Sequence, residues 1–361
     1  MKKLWIALVW LCFTEAIAQN QITENVVVVV LDGMRWQEIF GGVDTVLLDN
    51  PQFTRDKKRI VNLYGDPNPE ISRTKLMPFM WTVVGKAGQL HGNRKYRNLV
   101  NVANPFQMTY PGFSEMLTGY VDPAISSNRL VTSKSSNVLE FLNSQQNYKD
   151  KVAVFATSDL FPYLLDRKQS KLYINADTDT LDLGNTESTL INSMQRMISK
   201  PTTERPDILT YFSAIEYIKH KKPKVLYLAL GETDAFGHAG SYDQYLETAH
   251  TEDNFIKQLW EMLQAMPEYH DKTTLLITCD HGRGGQVPTE WTSHGAKITD
   301  SGQIWLAALG PNIPSTGELR VDGQIYQAQI AATIAQILGY RYEPTGQGVY
   351  KPISGIVKAK N

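Results

Sequence analysis

The sequence predicts a layered α/β fold with a central, mostly parallel sheet. Three observations carry this expectation. Short, nearly continuous apolar runs recur along the 361 residues, as in strands covered on both faces. Segments with helically spaced apolar residues lie between some of those runs. Acidic and histidine residues follow directly after several runs, where ligands gather in open α/β sheets.

The chain opens with Lys2 and Lys3, the apolar run Leu4 to Phe13, and then Ala16-Ile17-Ala18. This order reads as a secretory signal over residues 1–18, cleaved before Gln19. The apolar run is too short to span a bilayer as a stable helix, so no membrane anchor is expected after cleavage. Residues 19–361 are expected to form one domain, placed outside the cytoplasm and most simply in a bacterial periplasm. Cleavage removes Cys12, leaving Cys279 and no internal disulfide. Cys279 ends an apolar run and reads as a buried structural thiol. A formal net charge of -1, with both signs spread along the chain, gives no pointer to a nucleic-acid partner. It is silent on oligomeric state.

The expected strands are Val26 to Leu31, Leu99 to Ala103, Val152 to Ala156, Val225 to Leu230, Thr274 to Thr278 and Ile304 to Leu309. Helices are expected over Glu252 to Met262, from Phe255, Ile256, Leu259 and Trp260, and over Ile325 to Leu338, from Ile325, Ala328, Ile330 and Ile334. Two polar stretches, 41–98 and 159–206, fit the alternation poorly and read as insertions over the sheet.

The chemistry lies at the ends of the runs. Val26 to Leu31 leads into Asp32, and Leu99 to Ala103 leads towards Thr109. Val225 to Leu230 leads to Asp234 and His238, and Thr274 to Thr278 to Asp280 and His281; His294 follows in a glycine-containing loop. Three aspartates and three histidines can therefore converge on one edge of the sheet. Borderline metals such as zinc accept this mixture of carboxylate and imidazole. Singly, each residue also fits a turn, a helix cap or a buried polar group. His91, His220, His250 and His270 lie in polar or helical surroundings and receive no role.

Taken in order, these segments resemble the alkaline phosphatase superfamily, and within it the nucleotide pyrophosphatase/phosphodiesterase-like branch. Asp32-Gly33-Met34-Arg35-Trp36 is similar to that branch's Asp-Gly-Phe-Arg-Trp. Thr109-Tyr110-Pro111, with Leu117-Thr118-Gly119 beyond it, is similar to its nucleophile turn. Asp234-Ala235-Phe236-Gly237-His238 matches Asp-x-x-Gly-His, Asp280-His281-Gly282 matches Asp-His-Gly, and Ser293-His294-Gly295 resembles Thr-His-Gly. The segment Gln329 to Gly339 resembles the superfamily's closing helix.

The resemblance implies a three-layer sandwich and two divalent metal ions, zinc being the usual metal. One ion would be held by Asp234, His238 and His294. The other would be held by Asp32, Asp280 and His281, with the Thr109 oxygen also reaching it. It further implies a small phosphoester substrate and a phospho-threonine on Thr109, because metal coordination activates a hydroxyl that is otherwise a poor nucleophile. Pro111 and Gly112 suit a helix starting at Thr109, whose N–H groups could face a phosphate.

There are departures from the branch. Asn128 is the best match to its phosphate-binding Asn, across a shorter interval. The interval from His281 to His294 is also shorter, and Gly112-Phe113 replaces Asn-His. Arg35 reads as a structural ion-pair partner. A sulfatase is disfavoured by Thr109 and Phe113 standing where Cys or Ser and Arg would be. A phosphomutase is disfavoured by the signal and by Thr in place of Ser. A catalytically inactive metal-bearing scaffold is disfavoured by the full set of ligands together with Thr109.

Overall fold

The computed structural model describes residues 23–198, 204–344 and 348–358. The expected signal lies outside the described residues. Strand β1 (Asn25–Leu31) carries five consecutive valines, and all seven residues are buried. Valine is stiff at χ1 and suits the pleat. Burying each valine contributes roughly 1.5–3 kcal/mol. The other strands are β2 (Gln89–His91), β3 (Asn98–Asn101), β4 (Val152–Ala156), β5 (Tyr173–Ala176), β6 (Val225–Leu230), β7 (Thr273–Thr278), β8 (Gln303–Ile304), β9 (Leu306–Leu309), β10 (Gly317–Glu318) and β11 (Gly323–Tyr326).

The main sheet has eight strands in the order β10-β2-β9-β7-β1-β6-β4-β5. β1 runs parallel to β6 and β7, and β4 parallel to β6 and β5. β9 is antiparallel to both β7 and β2. Every residue of β1, β4, β6 and β7 is buried, so helices cover both faces and the fold is the expected three-layer α/β sandwich with a mostly parallel sheet. The register pairs Leu31 with Leu230 and Val30 with Thr278. The carboxyl ends of β1, β6 and β7 therefore reach one edge together, and this alignment creates the site.

Three expected elements differ. The run from Ile304 to Leu309 changes sheets at Trp305: β8 joins a three-stranded sheet, β11-β3-β8, and β9 joins the main one. Trp305 is fully buried, and its indole donates to Met34 O at 2.9 Å. Apolar continuity alone cannot reveal such a change of partner. The run from Leu99 also belongs to the small sheet, as β3, with alternating burial. Ile325 pairs with Val100 in β11, so the closing helix begins at Gln329 (Gln329–Ile337). Strand pairing there overrides the helical spacing. The expected helix over Glu252 to Met262 lies within a longer one, Tyr242–Ala265. The stretches 41–98 and 159–206 hold several helices, yet each also supplies a main-sheet strand, β2 and β5. Among the described residues no helix is long and apolar enough to cross a membrane.

Candidate metal centre

Asp32 leaves the end of β1, and its backbone carbonyl accepts from Thr233 Oγ1 at 2.7 Å. Asp280 leaves β7, and its Oδ1 accepts from Gly33 N at 3.1 Å. Asp234 and His238 sit on one short helix, Glu232–His238. Asp207 fixes the turn before that helix, its two carboxylate oxygens accepting from Gly231 N at 2.8 Å and Glu232 N at 2.9 Å. Asp32, Asp280 and His281 offer ligand atoms within 4.8 Å of one another, and so do Asp234, His281 and His294. The fold thus brings together all six expected ligands, with His281 between the two groups. His238 closes the second group from its half-exposed side: its Nε2 is 3.1 Å from Asp234 Oδ2 and 3.1 Å from His294 Nε2.

The ring nitrogens are set for ligation. His281 Nδ1 lies 2.9 Å from Gly282 O, and His294 Nδ1 lies 3.2 Å from Gln107 O. A carbonyl can only accept, so each Nδ1 carries a proton, the tautomer that turns Nε2 of a neutral ring towards a metal. The two imidazoles stack with centroids 3.7 Å apart. His281 Nε2 is 3.3 Å from Asp32 Oδ1 and 3.5 Å from Asp280 Oδ2.

Burial, and then the charges of Asp234 and Glu204, push the Asp32 carboxyl well above its ordinary range. Burial, and then Asp32, do the same to Asp280. Burial, and then His281, lower His294 to about 3. Burial raises Asp234 too, but Arg283, the His238 hydrogen bond and the nearby imidazoles reverse this and hold it well below the carboxylate range. Asp32 Oδ1 and Asp280 Oδ2 are buried without a hydrogen-bond partner. Crowded carboxylates, imidazoles held by their Nδ1 atoms and orphaned oxygens together fit a divalent cation.

Thr109 opens the helix Thr109–Thr118, all of whose residues are buried. Glu115 on this helix fixes the preceding loop, accepting from Ala103 N at 2.7 Å and from Asn104 N at 2.6 Å. Gly112, where the branch has Asn, packs against the backbone just after β7: a Cβ there would sit 2.4 Å from Asp280 O. Thr109 Oγ1 is 3.2 Å from His281 Nε2 and accepts from Asn128 Nδ2 at 3.3 Å. The expectation of several N–H groups free for phosphate narrows. Asn128 Oδ1 takes Tyr110 N, Gly112 N bonds Met108 O, and proline has no N–H.

A cavity of about 580 Å³ opens over this face, lined by Asp32, Thr109, Asn128, Asp234, His238 and, beyond them, Glu204. Burial moves Glu204 to about 7, against a hydrogen bond with Ser158. Arg35 is fully buried and pairs with Glu38 and Asp44, away from the cavity. Cys279 is a buried free thiol, raised by burial. Sequence reasoning missed Arg283, Glu204 and Asp207. A charged residue directly after Asp280-His281-Gly282 was the available signal for Arg283. Glu204 lies at the end of the stretch 159–206 read as an insertion, and Asp207 lies just past it.

The family model of the metalloenzyme superfamily matches residues 171–342. A 2,3-bisphosphoglycerate-independent phosphoglycerate mutase of Haloarcula marismortui is 26% identical over 153 residues, 39% of this chain and 28% of that relative. The match thus spans under a third of the relative's length. Among solved structures, the alkaline phosphatase PafA superposes with a TM-score of 0.58 at 12% identity, over 93% of this chain and 99% of that one. The lipoteichoic acid synthase LtaP from Listeria monocytogenes gives 0.57 at 13% identity, over 92% of this chain and 76% of that one. These matches give the chain the alkaline phosphatase fold, and the metalloenzyme superfamily's model covers just under half of it, including Asp234, His238, Asp280, His281 and His294.

Proposed function

We propose that the chain is an exported phosphoric ester hydrolase that works through a phospho-threonine on Thr109. The observation that supports this most directly is the placement of Thr109 Oγ1 against His281 and Asn128, on the wall of the cavity that holds the acidic and imidazole ligands. Two divalent ions, zinc by the chemistry of the donor set, held by Asp234, His238 and His294 and by Asp32, Asp280 and His281, would activate the Thr109 hydroxyl and offset charge on the phosphoryl oxygens. Thr109 Oγ attacks phosphorus as the bond to the leaving oxygen breaks, and that oxygen takes a proton. Water then attacks the phospho-threonine, releasing the phosphate and restoring the hydroxyl. Asn128 holds the nucleophile through its amide nitrogen while its carbonyl is fixed by Tyr110 N.

The cavity also bears on the kind of ester. None of its described lining residues is lysine or arginine, and Asp159 and Glu204 add carboxylates beyond the proposed ligands. A monoanionic diester suits that wall better than a dianionic monoester, as in the phosphodiesterase-like branch. Purified protein assayed on p-nitrophenyl phosphate and bis-p-nitrophenyl phosphate, with and without chelator and with metal measured on the same sample, tests this. Chelator-sensitive hydrolysis, faster on the diester, is expected; no turnover of either ester by metal-loaded protein would overturn it.

The mutase relative supports a second reading, in which the phosphoryl group passes from Thr109 to an acceptor hydroxyl. Glycerol added to the assay would then give glycerol phosphate as the main product instead of free phosphate. Export rests on Lys2, Lys3, the apolar run and Ala16-Ile17-Ala18. N-terminal sequencing of native protein should begin at Gln19, and a retained Met1 would overturn export.

A further inference from the structure

Arg283 follows Asp280-His281-Gly282 directly, yet it is fully buried and is not among the residues lining the cavity. Its Nη1 donates to Asp234 Oδ1, 49 residues away in sequence. Its Nε donates to Trp291 O at 2.6 Å. Trp291 is itself fully buried among Phe53, Tyr242 and Tyr245, and lies three residues before His294. Gly284 N also bonds Ser293 O at 3.2 Å. One guanidinium thus fastens together the three segments that carry Asp234, His281 and His294. The two oxygens of Asp234 are divided by this contact: Oδ1 is taken by Arg283, while Oδ2 faces His238 Nε2 at 3.1 Å.

Two glycines make room for the pair. A Cβ on Gly237 would lie 2.6 Å from Arg283 Cζ. A Cβ on Gly33 would lie 2.5 Å from Asp234 Oδ1 and 3.0 Å from Arg283 Nη1, and Gly33 also has a φ of +63°. Each belongs to a ligand-bearing motif, Asp32-Gly33 and Asp234-Ala235-Phe236-Gly237-His238. Gly237 thus leaves room for the Arg283 guanidinium, and Gly33 leaves room first for Asp234 and then for Arg283.

We propose that Arg283 is the positioning residue of the metal site built on Asp234, His238 and His294: it holds Asp234 Oδ1 so that Oδ2 alone is presented to the ion, and it anchors the loop that delivers His294. The proposal rests on the two-metal reading above. A guanidinium does this where an ammonium would not, because its planar fork serves a carboxylate and a carbonyl at fixed angles and never loses its charge. Outer groups that orient a metal ligand typically carry 10- to 100-fold of metal affinity.

The test is a competitive chelator titration of zinc on folded, full-length protein, counting equivalents and their affinities. Arg283→Met should weaken one equivalent roughly 10- to 100-fold and leave the other unchanged, with Arg283→Lys falling between. Gly237→Ala keeps every charge and ligand but crowds the guanidinium, so it should weaken the same equivalent. It also keeps the proposal testable if Arg283→Met does not fold. Two equivalents at wild-type affinity in Gly237→Ala and in folded Arg283→Met, or equal weakening of both, would overturn the role of Arg283. Wild-type protein that binds fewer than two equivalents would instead overturn the two-metal reading.

Discussion

Asn128 bridges the first turn of the helix that Thr109 opens: its Oδ1 accepts from Tyr110 N at 2.9 Å while its Nδ2 donates to Thr109 Oγ1 at 3.3 Å. One amide therefore fixes both the backbone and the hydroxyl of this turn. Asn128→Ala should lower kcat by about a hundredfold, the usual order for losing one oriented donor. Metal content should be unchanged, because Asn128 is not among the ligands. Asn128→Asp keeps the acceptor for Tyr110 N but replaces the donor with a charge, so it should be as damaging as the alanine. Steady-state kinetics on both variants check this, and wild-type kcat in Asn128→Asp would remove the donor from the mechanism.

The metal assignment makes a prediction about stoichiometry. Replacing His238 or His294 with alanine should remove about one metal equivalent and most activity. Replacing Asp280 should remove the other equivalent, because it belongs to the opposite group. Elemental analysis of the purified variants reads this directly. Full activity with at most one equivalent would contradict it.

The edge that carries the candidate ligands was legible because strand geometry leaves little freedom. Asp32 and Asp280 follow fully buried strands, so their positions are set once β1 and β7 pair side by side. Pro111 and Gly112 signalled the helix that opens at Thr109, while Thr109 as a nucleophile and Asn128 beside it came only from the resemblance to the superfamily's nucleophile turn and the phosphate-binding Asn beyond it. What stayed hidden depends on contacts between distant segments. The Arg283 contact with Asp234 needs the space left at Gly33 and Gly237, and no spacing in the chain encodes that space. Ile325 carries helical periodicity with Ala328 and Ile330, yet it pairs with Val100 because β3 needs a partner on that edge. Trp305 interrupts an apolar run that reads as one strand, because its indole has a carbonyl to reach at Met34.

His91, which has no place in the site, predicts a pH effect on stability. Its Nε2 faces Gln89 Oε1 at 3.0 Å, its Nδ1 is buried without a partner, and burial lowers it to about 4. The unfolded chain takes up the proton near 6.5, before the folded protein does. Its contribution is therefore complete above about 6.5 and is lost as pH falls from there to about 4. The size is on the order of 3 kcal/mol, from the difference between the two values. Denaturant unfolding of wild type and His91→Gln at pH 7 and pH 4 isolates the effect. The wild type should lose more stability than the variant over that interval, and parallel losses would show that His91 does not carry it.

Thr109 yields the most discriminating prediction, because a helix cap and a nucleophile make different demands on it. Thr109 occupies the first position of its helix, after Met108 at the cap. The described partners of Oγ1 are His281 and Asn128, both outside the helix. Thr109→Ala should leave both metal equivalents bound, since the six aspartate and histidine ligands remain. It should also melt close to wild type, because no helical hydrogen bond is removed. Turnover should nonetheless fall by a hundredfold or more, as water would have to replace a positioned oxygen nucleophile. Thr109→Ser keeps the hydroxyl and loses only a methyl, so it should retain far more activity. The measurement is kcat for both variants with metal content determined on the same samples. Wild-type turnover by fully metal-loaded Thr109→Ala would mean that the hydroxyl does not attack phosphorus, and the phospho-threonine mechanism would have to be abandoned.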